Sequence, residues 1–189
     1  MNKICFETIK VKDKFLLHVE YHQKRVDWTR RNLYGFKDRL DLNSLHVEIE
    51  NGALRVDYDE VIREVTCREV PQREFKKFRV VSSDISYDFK YANRDELNSL
   101  KQQGFDDVII ASNGFLKDTT IANIALKLEN QWFTPLEPLL LGTTRARLIK
   151  SGFLKTREIR IEDLKNMQNF AIMNSLLDFK ICENVRIDF

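Results

Sequence analysis

The sequence predicts an α+β protein in two lobes. Three observations carry this. Up to about residue 85, short strand-like runs are interleaved with one amphipathic helical stripe. After Gly104 the pattern is mostly β, with short helices. Between these stretches, residues 83–91 read as a hinge. The expected division is therefore 1–85, a small α+β lobe, and 86–189, a larger and mostly β lobe.

Along the chain, residues 4–11 and 15–19 read as strands joined at Lys12-Asp13-Lys14, a hairpin signal. Residues 21–34 read as a helix stopped by Gly35. Residues 53–58 and 61–70 read as strands, the second broken by Pro71, and 78–82 as another. Residues 93–103 read as a helix closed by Gly104. Residues 107–112, 121–128 and 170–174 are the clearest later strands, and 144–151 and 161–167 fit short helices.

Composition narrows the function classes. The chain has 189 residues, 43% hydrophobic and 32% charged, enough to bury a core. Its 31 basic and 29 acidic residues leave a net charge of +2. That balance calls for neither nucleic acid nor an anionic membrane as partner. No apolar run approaches a membrane span, and the N-terminal stretch shows no leader core. Cys5, Cys67 and Cys182 are far apart and odd in number, which fits a reducing cytoplasm.

Four local features bear on chemistry. On the helix 21–34, His22, Arg25, Val26, Thr29, Leu33 and Phe36 share one stripe, with Lys24, Asp27, Arg30 and Arg31 on other faces. Arg25 thus faces the interior and needs an anion, either a carboxylate of the chain or a phosphate that suits its fork. Leu141-Gly142-Thr143-Thr144-Arg145 precedes a helix, so it offers either an anion site of free N–H groups and hydroxyls or an ordinary N-cap. In Ser86-Tyr87-Asp88-Phe89-Lys90-Tyr91, one lysine stands among aromatic residues. Partial burial there would favour a neutral, nucleophilic amine, although most lysines simply face solvent. Asp118 opens a run of small polar residues before a strand, as a turn aspartate also would.

Taken in order along the chain, these features resemble the class IV aminotransferase and aminodeoxychorismate lyase family, the fold-type IV pyridoxal-5′-phosphate (PLP) enzymes. His22-Gln23-Lys24-Arg25 resembles the family's His-x-x-Arg element. Lys90-Tyr91-Ala92-Asn93-Arg94 resembles the cofactor-lysine segment of its lyase branch. Asp118 to Ile124 resembles its acid segment, and Trp132-Phe133-Thr134-Pro135 its Thr-Pro element. Leu140-Leu141-Gly142-Thr143-Thr144-Arg145 resembles its phosphate loop, and Ile172-Met173-Asn174-Ser175-Leu176 its late strand and loop. The resemblance runs from about Phe6 to Phe179 and is densest from Lys90 to Asn174.

Two departures stand out. The chain is shorter than familiar members before Lys90, which implies a reduced N-terminal lobe. Aspartate stands at 118 where glutamate is usual. The resemblance implies a two-lobed fold like that of D-amino acid aminotransferase, with a barrel-like second lobe. It implies PLP as cofactor, a small amino substrate and a homodimer. Lys90 would hold the cofactor and shuttle a proton, Asp118 would face the pyridine nitrogen, and Arg25, Gly142, Thr143 and Thr144 would anchor the phosphate. Thr8, Asn174 and Ser175 would line the substrate pocket. The Asn93-Arg94 pair points to 4-amino-4-deoxychorismate lyase, which releases pyruvate and leaves 4-aminobenzoate, a folate precursor. The alternatives are a branched-chain or D-amino acid type aminotransferase, and an inactive PLP-fold binding protein.

Overall fold

The computed structural model describes residues 3–189; Met1 and Asn2, which open the stretch read for a leader core, lie outside the described residues. The chain divides into two units. The first is the chain up to Gln72 together with Phe89–Asn93; the second is Arg73–Asp88 with Arg94–Phe189. A cut at residue 85 would divide the chain differently, and backbone pairing explains why. Residues 77–82 pair with strands of the second unit. Phe89–Asn93 returns to the first through Phe6 N–H to Lys90 O at 2.9 Å and Ala92 N–H to Ile4 O at 2.8 Å.

The first unit is an antiparallel sheet with a helix. Its strands are β1 (Cys5–Lys12), β2 (Phe15–Leu16), β3 (Gly52–Tyr58) and β4 (Ile62–Arg68), in the order β2-β1-β3-β4. The β1–β2 turn is two residues, Asp13 and Lys14, with φ of 52° and 65°. Such left-handed pairs match the twist of a hairpin. The second strand stops at Leu16, short of the expected residue 19, because α1 (Val19–Thr29) begins there. α1 continues as a π-helical turn, Arg30–Tyr34, and Gly35 ends it with φ 79°. Alternation along β1 and β3 puts Cys5, Ile9, Val11, Leu54, Val56 and Tyr58 in one core cluster with Val26 of α1.

One residue corrects the expected helix stripe. Arg30, expected on an outer face, is 1% exposed. It lies four residues beyond buried Val26, about 40° away at an ideal helical period, so the helix itself turns it inward. Arg30 then reaches the Asp38 carboxylate and carbonyl and the Glu60 carbonyl.

The second unit is mostly β. Its strands are β5 (Lys77–Ser82), β6 (Asp107–Ser112), β7 (Phe115–Thr119), β8 (Asn123–Leu128), β9 (Gln131–Pro135), β10 (Leu154–Arg157), β11 (Asn169–Asn174), β12 (Asp178–Ile181) and β13 (Arg186–Asp188). They run in the order β10-β9-β8-β7-β6-β5-β13, with β11 pairing β8 and β12. Two helices complete it, α2 (Asp95–Ser99) and α3 (Thr143–Lys150), with a 3₁₀ turn at Ile161–Lys165. α2 is shorter than the expected 93–103, because it buries only Leu97 and its polar remainder gains nothing from packing. The core holds Phe78, Ile109, Leu116, Ile124, Leu126, Phe170 and Ile172, all at most 1% exposed. Among the described residues, no helix is long and apolar enough to cross a membrane.

Candidate active site

Each unit carries part of the predicted constellation. In the first, Glu7 is a lone carboxylate on the apolar side of β1, and it is 0% exposed. Arg25 of α1 meets it with a two-pronged contact, Nε to Oε1 at 2.7 Å and Nη2 to Oε2 at 2.6 Å. His22, one helical turn earlier, donates Nδ1–H to Oε2 at 2.6 Å. Burial pushes the Glu7 carboxyl up, but the Arg25 charge and the bonds from Arg25 and His22 outweigh it and hold it at about 2. Burial also lowers His22 below its ordinary value, with Glu7 opposing. The cluster is thus an ionised carboxylate, a guanidinium and a neutral imidazole. Of the two anions open to Arg25 in the sequence, the chain's own carboxylate occupies the Nε–Nη2 edge.

Lys90 is half-buried, with its ammonium 4.5 Å from the centre of the Phe6 ring. Phe6 and Thr8 project from the face of the sheet opposite Glu7. Thr8 is half-buried there, cross-strand from Arg55. Lys90 is near enough to His22 for its charge to depress the imidazole further.

In the second unit, Asp118 ends β7's buried face and is 3% exposed. Its Oδ1 accepts from Asn123 Nδ2 at 2.8 Å, and its Oδ2 accepts from Leu140 N–H at 3.0 Å. Burial pushes its carboxyl up to about 7, against the opposing pull of those bonds and of the Arg145 charge. Asn123 Nδ2 also donates to Leu140 O at 2.8 Å. The Asn123 amide oxygen lies where a Cβ at Gly142 would stand, 1.9 Å from it. So glycine at 142 lets the start of α3 close onto Asn123, and Asn123 joins the acid to that helix start.

Gly142 is the N-cap of α3 and offers no side chain to the first-turn N–H groups. Thr143 and Thr144 are buried at that start. Backbone donors, two hydroxyls and the positive end of the helix dipole together suit an anion. Arg145 is buried behind them, its Nη2 donating to Pro135 O at 2.8 Å, while its buried Nε has no partner among the described residues. Asn174 Nδ2 donates to Ile121 O at 3.2 Å, and its Oδ1 accepts from Leu176 and Leu177 N–H. It therefore ties the end of β11 to the loop after Asp118. Ser175 is half-buried in the turn that Asn174 shapes. Arg94 donates to Thr120 O in that loop, so the Asn93-Arg94 pair has a structural part.

The structure thus groups Lys90, Thr8 and Arg25 in the first unit, and Asp118, Gly142, Thr143, Thr144, Asn174 and Ser175 in the second. Two residues had a sequence signal beyond the predicted set. Glu7 interrupts an apolar alternation, and Asn123 is an amide inside a buried strand.

Within the second unit, a buried acid and a helix start fit the ring nitrogen and the phosphate of PLP; within the first, Lys90 offers an amine of the kind that its aldehyde takes. Comparison with known proteins bears on the same point. Residues 86–182 match the profile of the family described as amino-transferase class IV. A Haemophilus somnus protein, named provisionally as a 4-amino-4-deoxychorismate lyase, superposes with a TM-score of 0.83 at 30% identity. The match covers 93% of this chain and 97% of that one. A Mycobacterium tuberculosis protein described as a hypothetical aminotransferase in a PLP-bound form gives 0.82 at 21% identity, covering 97% and 81%. An uncharacterized Haemophilus influenzae protein is 29% identical over 181 residues, covering 90% of this chain and 96% of its own.

Proposed function

The chain belongs to the amino-transferase class IV family, and from that premise we propose that it is a PLP-dependent enzyme acting on a small amino substrate, with Lys90 as its cofactor lysine and catalytic base. The observation that carries the reading is the Asn123 bridge. One side chain bonds the buried Asp118 carboxylate and packs against the Gly142 turn that opens α3. An acid and an anion cup joined in this way suit a flat cofactor with a basic ring nitrogen at one end and a phosphate at the other.

Each residue then has a part. PLP, when bound, supplies the sink for electrons released at the substrate carbon. Lys90 takes the proton from that carbon at Nζ and returns it. Phe6 lies under the resulting ammonium, whose charge the ring face stabilises. Asp118 would hold the cofactor's ring nitrogen in its protonated form, which lets the ring accept those electrons. Gly142, Thr143 and Thr144 would hold the cofactor's phosphate through N–H groups and hydroxyls. Within the first unit, Glu7 orients the Arg25 guanidinium.

The specific reaction we propose is 4-amino-4-deoxychorismate lysis to pyruvate and 4-aminobenzoate. The Lys90-to-Arg94 segment and the Haemophilus somnus likeness support it. Purified protein given aminodeoxychorismate should form 4-aminobenzoate. Failure to do so, with amino acids instead converting the bound cofactor to its amine form, would identify an aminotransferase. The match of residues 86–182 to the amino-transferase class IV family supports that second reading.

A further inference from the structure

The sheet of the first unit ends on a strand with an open edge. β4 pairs with β3 on one side, and among the described residues no strand or loop pairs with its other side. Open edges invite another strand, and proteins commonly blunt them with lysine or proline. β4 carries neither. A register shift against β3 sets a bulge at Arg63, so the regular part of the strand is residues 64–68. Glu64, Val65, Thr66 and Arg68 are exposed there, and Cys67 is half-buried. Among the described residues, neither Glu64 nor Arg68 has an ion-pair partner.

The run Glu64-Val65-Thr66-Cys67-Arg68 is its own complement when paired antiparallel with a copy of itself. In such a ladder, facing residues must share one backbone orientation, so the two-fold axis passes through a residue that faces its own copy. Centring on Glu64 or on Arg68 sets like charges face to face. Centring on Val65 leaves Arg68 outside the regular ladder, and centring on Cys67 leaves Glu64 outside it. Centring on Thr66 uses the whole run. Glu64 then faces Arg68 at both ends, Val65 faces Cys67 twice, and Thr66 faces Thr66. Opposite-charge and Thr–Thr pairs across strands both stabilise a sheet, whereas like charges oppose it. Val61, Val65 and Val70, at 48%, 38% and 37% exposure, add apolar surface along the same edge.

We propose that a second copy of this chain adds its β4 antiparallel to this one, centred on Thr66, giving a symmetric dimer with one sheet continuous through both first units. The inference is independent of Lys90 and of the cofactor. One register both uses the full regular strand and pairs every charge with its opposite, so the sequence of β4 specifies the partner as well as the edge.

The experiment uses the full chain. Light scattering at about 100 µM should show a dimer in wild type; a monomer overturns the proposal. Glu64→Lys replaces two ion pairs by two like-charge contacts, and the dissociation constant of the dimer should rise about tenfold. Adding Arg68→Glu to that variant restores opposite charges across the axis and should bring the constant back to within about threefold of wild type. A dimer indifferent to Glu64→Lys, or one that the second change does not restore, overturns the proposal. Val65→Cys tests the register without altering charge, and so decides the case should either charge variant fail to fold. With oxidised glutathione as oxidant, the introduced thiol should join Cys67 of the second copy, seen as a covalent dimer on a non-reducing gel and located by peptide mass spectrometry. Wild type, in which Cys67 faces Val65, should stay unlinked. No link in Val65→Cys, or a Cys67-to-Cys67 link in wild type, overturns the proposal.

Discussion

Glu7 holds Arg25 and His22 from inside the first unit, and its charge is lost on neutralisation. Glu7→Gln should destabilise the protein by about 3–5 kcal/mol, because the buried ion pair with Arg25 loses its anion. Urea unfolding at pH 7 checks this. The pH dependence has a definite sign. The Glu7 carboxyl is held at about 2, below its unfolded range, so its stabilisation is present above about pH 4 and is lost as pH falls toward about 2. Asp118 behaves in the opposite sense. Its carboxyl is raised to about 7, so its burial costs nothing below the unfolded carboxylate range, and in the cofactor-free protein that cost grows as pH rises to about 7. Asp118→Asn should flatten that rise, which amounts to at most about 4 kcal/mol. Thermal melts of cofactor-free wild type and variant from pH 4 to 8 would show it. The same variant should lose cofactor chemistry, since an amide cannot hold a proton on the ring nitrogen. Much of this was legible in the sequence: the stripe through His22 and Arg25 demanded a buried anion. Which anion was not legible, because β1 and α1 meet only after folding. The inward turn of Arg30 was readable from its four-residue spacing to Val26, but its partners Asp38 and Glu60 were not, because they meet it only after folding.

Among the elements, the start of α3 is the most constrained. A methyl at 142 would stand 1.9 Å from the Asn123 amide oxygen. Gly142→Ala must therefore displace Asn123 and loosen its bonds to Asp118 and Leu140. Overpacking of this kind costs about 1–3 kcal/mol, and PLP affinity should fall at least tenfold. Cofactor titration with a parallel thermal melt separates the two effects. The β1–β2 turn allows a gain instead. Lys14 has φ 65°, a conformation that costs a non-glycine residue about 1 kcal/mol. Lys14→Gly should raise stability by roughly that amount, read as an increase in urea midpoint. The elements that the sequence showed best were long or had clear stops, such as β6 and the Gly35 end of the α1 segment. β7, β9, β10, β12 and β13 escaped notice because each is at most five residues long. Such strands carry too few residues for alternation to stand out. They are specified by their neighbours in the sheet, a non-local cause.

At the scale of the whole molecule, the composition and the strand count set the class, and the order of the motifs identified the family. The unit boundary was less legible. Residues 77–82 look like any front-lobe strand in sequence, yet they pair with β6 and β13. Phe89–Asn93 belongs with β1 through backbone bonds that carry no residue signature. This return places Lys90 in the first unit, whereas Asp118 and the start of α3 belong to the second. Loss of core packing in the second unit should accordingly act on the acid and the cup. Phe170→Ala, at a residue 0% exposed, should cost about 3–5 kcal/mol and weaken PLP binding by way of β11 and β8. Denaturation and cofactor titration of the same preparation measure both. The role of Lys90 is tested by borohydride reduction of PLP-loaded protein, followed by peptide mass spectrometry. The expected result is a single pyridoxyl adduct on Lys90, abolished by Lys90→Ala. An adduct on another lysine, or its survival in that variant, would contradict Lys90 as the cofactor lysine.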